Sequence, residues 1–430
     1  MKPFLLDTAI TERLEGVSDF RVIGRSASRL LGAFYTDTNA TDVMAEWVIR
    51  RPGDKILEPS FGDGAFLKAL RNVARSRGYP PLRLFGAELV QEPYSGAIEA
   101  QLLNKKDSFL GDFLSVQPFE VDAITGNPPY VRLRHLPPDQ MNRALQCASS
   151  VLHRSMDPSG SIWMPFILHG LRFLRKGGRL ALVLPHELTY VRYARPLWKK
   201  LGECFSDIRL VRVHERLFPD ILQEVVILFA EGYGGETKYV NFQAIEKASQ
   251  FSKSEDLPCT ALPIERIVNG DRVFLEALLP TRTRELITNL LENRTEPLPK
   301  SCVFNIGYVA GDKEFFHPDS GVVTHHKLSK ACLLPALTSG KQLRACGLHT
   351  SDLRYAADNL YLPPNNNSLS AADKRYITYG KILGIHKRYK CAVRKPWYLV
   401  PGVRVPDMLL SVFAERPILV INDAKYVASN

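Results

Sequence analysis

The sequence predicts an α/β protein built on a Rossmann-like, mostly parallel sheet, followed by a second domain of mixed α+β character. Three observations carry that expectation. Between about Asp54 and Glu231, short β-rich runs alternate with helical stretches, the rhythm of strand–helix–strand crossovers. The first strand runs into a glycine-containing turn that opens a helix, Glu58-Pro59-Ser60-Phe61-Gly62-Asp63-Gly64. After about Gly235 the alternation stops, and the chain becomes richer in Pro, Asn and isolated aromatics.

Seven strands are expected in order: Lys55 to Leu57, Leu84 to Glu88, Phe109 to Leu114, Val121 to Thr125, Arg179 to Leu184, Ile208 to Val213 and Glu224 to Phe229. One helix is expected from Ala65 to Arg77, and another from about Trp163 to Arg175 that stops at Gly177-Gly178. A chain of 430 residues exceeds what one hydrophobic core usually serves. The boundary is placed near residues 235–245, giving domains 1–240 and 241–430.

Composition narrows the class. A hydrophobic fraction of 45% with 23% charged residues is that of an ordinary globular chain. The formal net charge of +11 favours a polyanionic partner. Seven cysteines are scattered without a CxxC pair or histidines at zinc spacing, which suggests free thiols in a reducing compartment and argues against a structural metal. The amino terminus lacks the charged, apolar and cleavage regions of a secretory signal, and apolar runs such as Val225 to Ala230 are too short to span a bilayer. A cytoplasmic protein with no membrane partner is expected.

The strongest chemical signal is Thr125-Gly126-Asn127-Pro128-Pro129-Tyr130, directly after the fourth strand. Ligands of open α/β sheets collect at the carboxyl ends of strands, where this segment sits. Two consecutive prolines stiffen the backbone and remove two donors, leaving carbonyl oxygens free to accept. An amine on an aromatic ring is a poor nucleophile because its lone pair is delocalised. The Asn127 side-chain oxygen and an adjacent backbone carbonyl accept both amine hydrogens, which favours the tetrahedral nitrogen of the transition state. Tyr130 offers a flat face to a planar base.

The Glu58 to Gly64 turn is the second signal. Glycine lets backbone approach a ligand closely, and a helix start presents free amides. Two acids at later strand ends add weight. A carboxylate after the second strand, Glu88, suits the paired hydroxyls of a ribose, and Asp112 suits the amino group of an adenine ring.

These motifs together resemble those of the gamma-class N6-adenine DNA methyltransferases of bacterial restriction–modification systems. They stand in the gamma order: Gly32-Ala33-Phe34-Tyr35-Thr36, the Glu58 to Gly64 loop, Gly86-Ala87-Glu88, Gly111-Asp112-Phe113-Leu114 and Asn127-Pro128-Pro129-Tyr130. The resemblance implies a seven-stranded S-adenosylmethionine-dependent methyltransferase sheet with a carboxyl-terminal DNA-recognition domain. It implies that Tyr35, Thr36, Glu58, Ser60, Gly62, Glu88, Asp112 and Phe113 bind S-adenosylmethionine, with Glu88 on the ribose and Asp112 on the adenine. It implies that Asn127 and the Pro128 carbonyl hold the target amine, with Pro129 stiffening the loop and Tyr130 stacking on the flipped base. Arg216-Leu217-Phe218-Pro219 resembles the later motif whose aromatic residue, here Phe218, packs against that base. An adenine inside a duplex hides its amine, so the base must swing out. The absence of a Pro-Cys pair at a strand end counts against methylation of a cytosine carbon.

Between Lys374 and Arg404 lie nine basic residues and no acidic one, interleaved with Tyr376, Tyr379, Tyr389, Trp397 and Tyr398. Such a stretch is expected to track DNA, with Lys387, Arg388, Lys390, Arg394 and Lys395 on phosphates. Arg132 and Arg134, directly after the Asn127 loop, are expected to grip phosphates beside the flipped base. Phe304 to Gly311 is similar to a segment near the start of the family's recognition domain. The chain stops soon after a strand-like run, Pro417 to Ile421, so that domain is expected to be incomplete. The residues before Phe34 are too few for a fused nuclease, and a restriction endonuclease partner would be encoded separately.

Other readings stay open. A glutamine methyltransferase acting on release factors uses the same Asn-Pro-Pro-Tyr element, and a ribosomal RNA methyltransferase would find the basic stretch equally useful. A non-catalytic DNA-binding specificity subunit is a reading of another class.

Overall fold

The structure, a computed structural model, describes residues 38–214, 224–247, 250, 259–293, 296, 300–353, 358–364, 368–411 and 417–429. The 32–36 motif, with Tyr35 and Thr36, and the 216–219 segment, with Phe218, lie outside the described residues. The chain divides into two compact units, Met1–Arg294 and Thr295–Asn430.

In the first unit the strands are β1 (Lys55–Glu58), β2 (Arg83–Glu88), β3 (Ser108–Leu110), β4 (Val121–Gly126), β5 (Leu174–Pro185), β6 (Phe205–Val213), β7 (Val225–Tyr233), β8 (Tyr239–Ile245) and β9 (Thr260–Pro263). They form one sheet in the order β3-β2-β1-β4-β5-β7-β6-β8-β9. Strands β1 to β5 pair in parallel, and β7 inserts antiparallel between β5 and β6. Side chains alternate between faces with the two-residue period of a pleated strand. Leu57, Ile124, Leu180 and Leu182 pack into one apolar cluster; Ile56, Ala123, Ala181 and Val183 pack into the other. Helix Ala65–Ser76 covers the second face with Phe66, Leu67, Leu70, Val73 and Ala74. Helix Trp163–Leu171 is buried along its whole length against the first.

Several expectations change in detail. Among the described residues the sheet has nine strands, two more than the seven expected, because β8 and β9 extend it beyond β6. Residues 240/241, the expected boundary, fall inside β8, and the break between compact units comes at Arg294/Thr295. Polar Asn241 and Gln243 interrupt the apolar run that would have marked β8 as a strand. The helix expected to reach Arg175 ends at Leu171, and β5 already begins at Leu174. Gly177-Gly178 therefore lies within a strand, where the β4–β5 register shifts. The third strand stops at Leu110, and Phe113–Ser115 forms a short 3-10 turn capped by the Asp112 side chain.

The amino-terminal edge of the sheet is held by buried charge. Arg179 pairs with Asp54 and donates to the Val48 carbonyl at 2.6 Å, while Asp54 also accepts the amide of Arg50 at 2.9 Å. In the second unit, β10 (Leu333–Leu337), β11 (Asp358–Tyr361) and β14 (Val427–Ala428) form a three-stranded sheet ordered β11-β10-β14. Strands β12 (Met408–Ser411) and β13 (Ile418–Ile421) pair separately. Short helices complete a mixed α+β unit around Tyr308, Phe315, Phe316, Tyr361 and Tyr376. No helix among the described residues is long and apolar enough to cross a membrane.

Candidate active site

Strand order reverses at β1 and β4, so the loops leaving their carboxyl ends diverge and open a crevice. Loop 58–64 leaves β1, loop 126–130 leaves β4, and Glu88 ends β2 beside them. Hydrogen bonds tie these loops into one frame. The Ser60 hydroxyl donates to the Asn127 carbonyl at 3.1 Å. The Gly62 and Val90 amides donate to the two Glu88 carboxylate oxygens at 2.8 and 2.9 Å. The Gly111 amide reaches the Glu88 carbonyl at 2.8 Å.

Glycine is required where the frame is tightest. Gly126 has φ +150°, and a Cβ there would sit 3.3 Å from Cγ of Glu58. Gly64 takes the left-handed φ of +75° as the chain turns into helix Ala65–Ser76. Glu58 itself is 2% exposed, and its Oε2 has no hydrogen-bond partner among the described residues. Burial, with repulsion from Asp63 and Glu88, pushes its carboxyl well above the usual carboxylate range.

Asn127 is half-buried, Pro128 buried and Tyr130 half-buried at the end of β4. Tyr130 packs against both apolar clusters, and burial raises its phenol well above the usual value. Asp112 accepts the Leu114 amide at 3.0 Å through Oδ1 and the Arg143 guanidinium at 2.6 Å through Oδ2. Phe113 departs from expectation. It is 2% exposed and lies among Phe166, His169 and Phe173, with ring centroids 5.3, 4.9 and 5.4 Å away. An aromatic between Asp112 and Leu114 is drawn into the core by the turn that Asp112 caps.

Arg132 also departs from expectation. Its guanidinium pairs with Glu187 at 2.6 Å and donates to the Tyr193 hydroxyl at 3.2 Å. Glu187 accepts in turn from Tyr193 at 2.6 Å and from the Trp163 indole at 3.2 Å. The network anchors the chain just beyond Tyr130 and leaves Arg132 without free charge for a phosphate. Neither Glu187 nor Arg143 was marked by the sequence, since Arg132 and Asp112, the groups they pair with, lie 55 and 31 residues away. Arg134 is exposed.

Two family models match the chain. Residues 89–218 match the Eco57I restriction-modification methylase, and residues 271–430 match the C-terminal domain of the Type II methyltransferase M.Eco57I. The chain is a restriction–modification methyltransferase that carries Eco57I-type domains in these two segments. As such it is a DNA methyltransferase, and its methyl donor is S-adenosylmethionine. The methylase is 21% identical to the Type II methyltransferase M.AccI of Acinetobacter calcoaceticus, over 88% of this chain and 71% of that one. It is 25% identical to M.PaeR7I of Pseudomonas aeruginosa, over 92% and 74%. It spans 40% of the length of M.BstVI of Geobacillus stearothermophilus, with 26% identity. In fold it is similar to the protein of a DrdV–DNA complex, with a TM-score of 0.55 and 14% identity over 85% of this chain and 47% of that one.

The methylase's second unit sorts the basic stretch into free and committed charge. Lys387, Lys390 and Lys395 are exposed. Arg388 pairs with Asp312, and Arg394 donates to the backbone carbonyls of Val309 and Ala310. Arg394 is therefore a clamp on the 309–310 backbone, contrary to its expected phosphate role. Tyr376 and Tyr398 are core residues, whereas Tyr379 and Tyr389 reach the surface.

Proposed function

We propose that this methylase transfers a methyl group to the N6 amine of an adenine swung out of double-stranded DNA. One observation carries the reading: the Asn127-Pro128-Pro129-Tyr130 loop and the Glu58 to Gly64 loop are tied by the Ser60–Asn127 hydrogen bond at the strand-order reversal. The residues present suit the cofactor. The buried, unpartnered Oε2 of Glu58, crowded by Asp63 and Glu88, makes an acid-rich recess suited to a ligand with cationic groups. Glu88 would take ribose hydroxyls, Asp112 the adenine amine, and Gly62 allows close approach of the ligand to the backbone. When bound, S-adenosylmethionine supplies an electrophilic methyl group on a sulfonium.

The protein's own contribution is orientation. The Asn127 side-chain oxygen and the Pro128 carbonyl accept the two amine hydrogens and direct the nitrogen lone pair along the line of attack. With the methyl donor bound, these two acceptors would hold the amine for attack on the donor's methyl group, and the surplus amine proton would leave to water. Tyr130, wedged between both apolar clusters, offers the rest of its ring to the extruded base and offsets part of the few kcal/mol of lost stacking. Its role and those of the other site residues follow from position and chemistry. A separately encoded restriction endonuclease acting at the same target is the proposed counterpart.

Tritiated cofactor offered with duplex DNA, RNA and a release factor tests the reading. Label is expected on DNA alone, as N6-methyladenine in the nucleoside digest. Label on RNA, on protein glutamine or on cytosine would replace it with the corresponding alternative.

A further inference from the structure

Helix Ala371–Ile382 of the second unit has two faces of different chemistry. Its inner face, Asp373, Tyr376, Ile377 and Gly380, is buried. Asp373 accepts the Tyr361 hydroxyl at 2.9 Å and closes a capping box with Ser370. Tyr376 stacks on Phe315 with centroids 4.6 Å apart and donates to its carbonyl at 2.8 Å. A Cβ on Gly380 would come within 2.5 Å of Phe315 and 2.7 Å of Trp397, so the helix is seated closely. The seat is rigid.

The outer face presents Lys374, Arg375, Thr378, Tyr379, Lys381 and Ile382, all exposed. Ile382 is 78% exposed beside Lys381. That face has no acid, since the helix's one carboxylate, Asp373, is turned inward. Arg375, Thr378 and Ile382 follow the i, i+3, i+7 spacing of a single stripe, and Lys374 and Lys381, also seven residues apart, run together along one side of it.

We propose that this helix enters the major groove of the target DNA and reads its sequence, with Arg375, Thr378 and Ile382 facing base edges. The proposal rests on the DNA-methyltransferase reading and extends it to specificity. An α-helix with side chains is about 10–12 Å across, matching a major groove about 12 Å wide. A guanidinium suits the paired acceptors of guanine, a hydroxyl suits either a donor or an acceptor, and an aliphatic group suits the thymine methyl. Lys374 and Lys381 meet phosphates along one wall of the groove, and the buried seat holds the stripe in one orientation before DNA arrives. Lys387 and Lys390 have no such stripe and would supply sequence-independent attraction.

The test maps methylated positions in DNA from cells expressing the full chain, for wild type and for Arg375→Ala, Thr378→Ala and Ile382→Ala. Each substitution lies on the solvent face, and circular dichroism verifies folding. At least one variant is expected to lose about tenfold or more of its discrimination at one or two positions of the motif. Lys387→Ala, as a control, lowers methylation at every site alike. An unchanged motif in all three variants overturns the proposal, whether or not total methylation falls. If wild type labels RNA or protein and no DNA, both readings fall. If it labels cytosine in DNA, the adenine reading falls while the same variants still decide this one.

Discussion

At the scale of single residues, the site separates groups that act from groups that hold. Asn127 stands at the end of β4 with its backbone carbonyl already engaged by Ser60, so its side chain is presented from a fixed point. Asn127→Ala is expected to lower kcat by about a hundredfold or more while leaving cofactor affinity intact, measured by single-turnover transfer and by calorimetric titration. Near-normal turnover would remove Asn127 from the reaction. Glu58 makes a prediction about pH. Its carboxyl lies well above the usual range because it is buried, with Asp63 and Glu88 adding repulsion. The folded chain then keeps a proton that the unfolded chain releases. Stability falls as pH rises from the unfolded carboxyl range, about 4.3, through the folded value. Glu58→Gln removes that loss. The cofactor-free variant should match wild type in Tm at acid pH and exceed it increasingly towards alkaline pH; a gap independent of pH would show that Glu58 is ionised in the fold.

At the scale of elements, the parallel strands are aligned by what happens at both their ends. The carboxyl ends carry the site, and the amino ends are held by the buried Arg179–Asp54 pair. Arg179→Leu would strand the Asp54 carboxylate in the interior and is expected to cost about 3–5 kcal/mol in urea unfolding. A loss below about 1 kcal/mol would mean that the Arg50 amide and neighbouring groups suffice for Asp54. Much of the sheet was legible in sequence, because strands buried on both faces are continuous apolar runs, as in Val225 to Ala230 of the antiparallel β7. What escaped was local competition. Gly177-Gly178 reads as a helix stop, yet it lies in β5, where the register with β4 shifts and the ladder absorbs the irregularity. Strand β8 escaped because Asn241 is bound by the Asp207 side chain at 2.8 Å, a pairing that makes a polar strand residue tolerable and leaves no trace in the local sequence.

At the scale of the whole molecule, a net charge of +11 indicates attraction to a polyanion but does not say which cations are free to act. Arg132, Arg388 and Arg394 are committed to Glu187, to Asp312 and to backbone carbonyls, whereas Lys387 and Lys390 are exposed. Lys387→Ala with Lys390→Ala should weaken DNA binding for all sequences and reduce the slope of log K against log salt by about 0.9 for each phosphate no longer neutralised. An unchanged slope would assign both lysines to ordinary surface.

Order and spacing along the chain determined the strand rhythm, the Asn127 to Tyr130 loop and the acids Glu58, Glu88 and Asp112, because each is a local pattern that survives whatever the chain does elsewhere. Tertiary structure alone decided which charges were neutralised and which rings were buried. The pairs Arg143–Asp112 and Arg132–Glu187, and the retreat of Phe113 into the core, exist only once distant segments meet. Hydrogen bonds and ion pairs act over a few ångströms of space, and no composition or periodicity reports which residues folding will bring within that range.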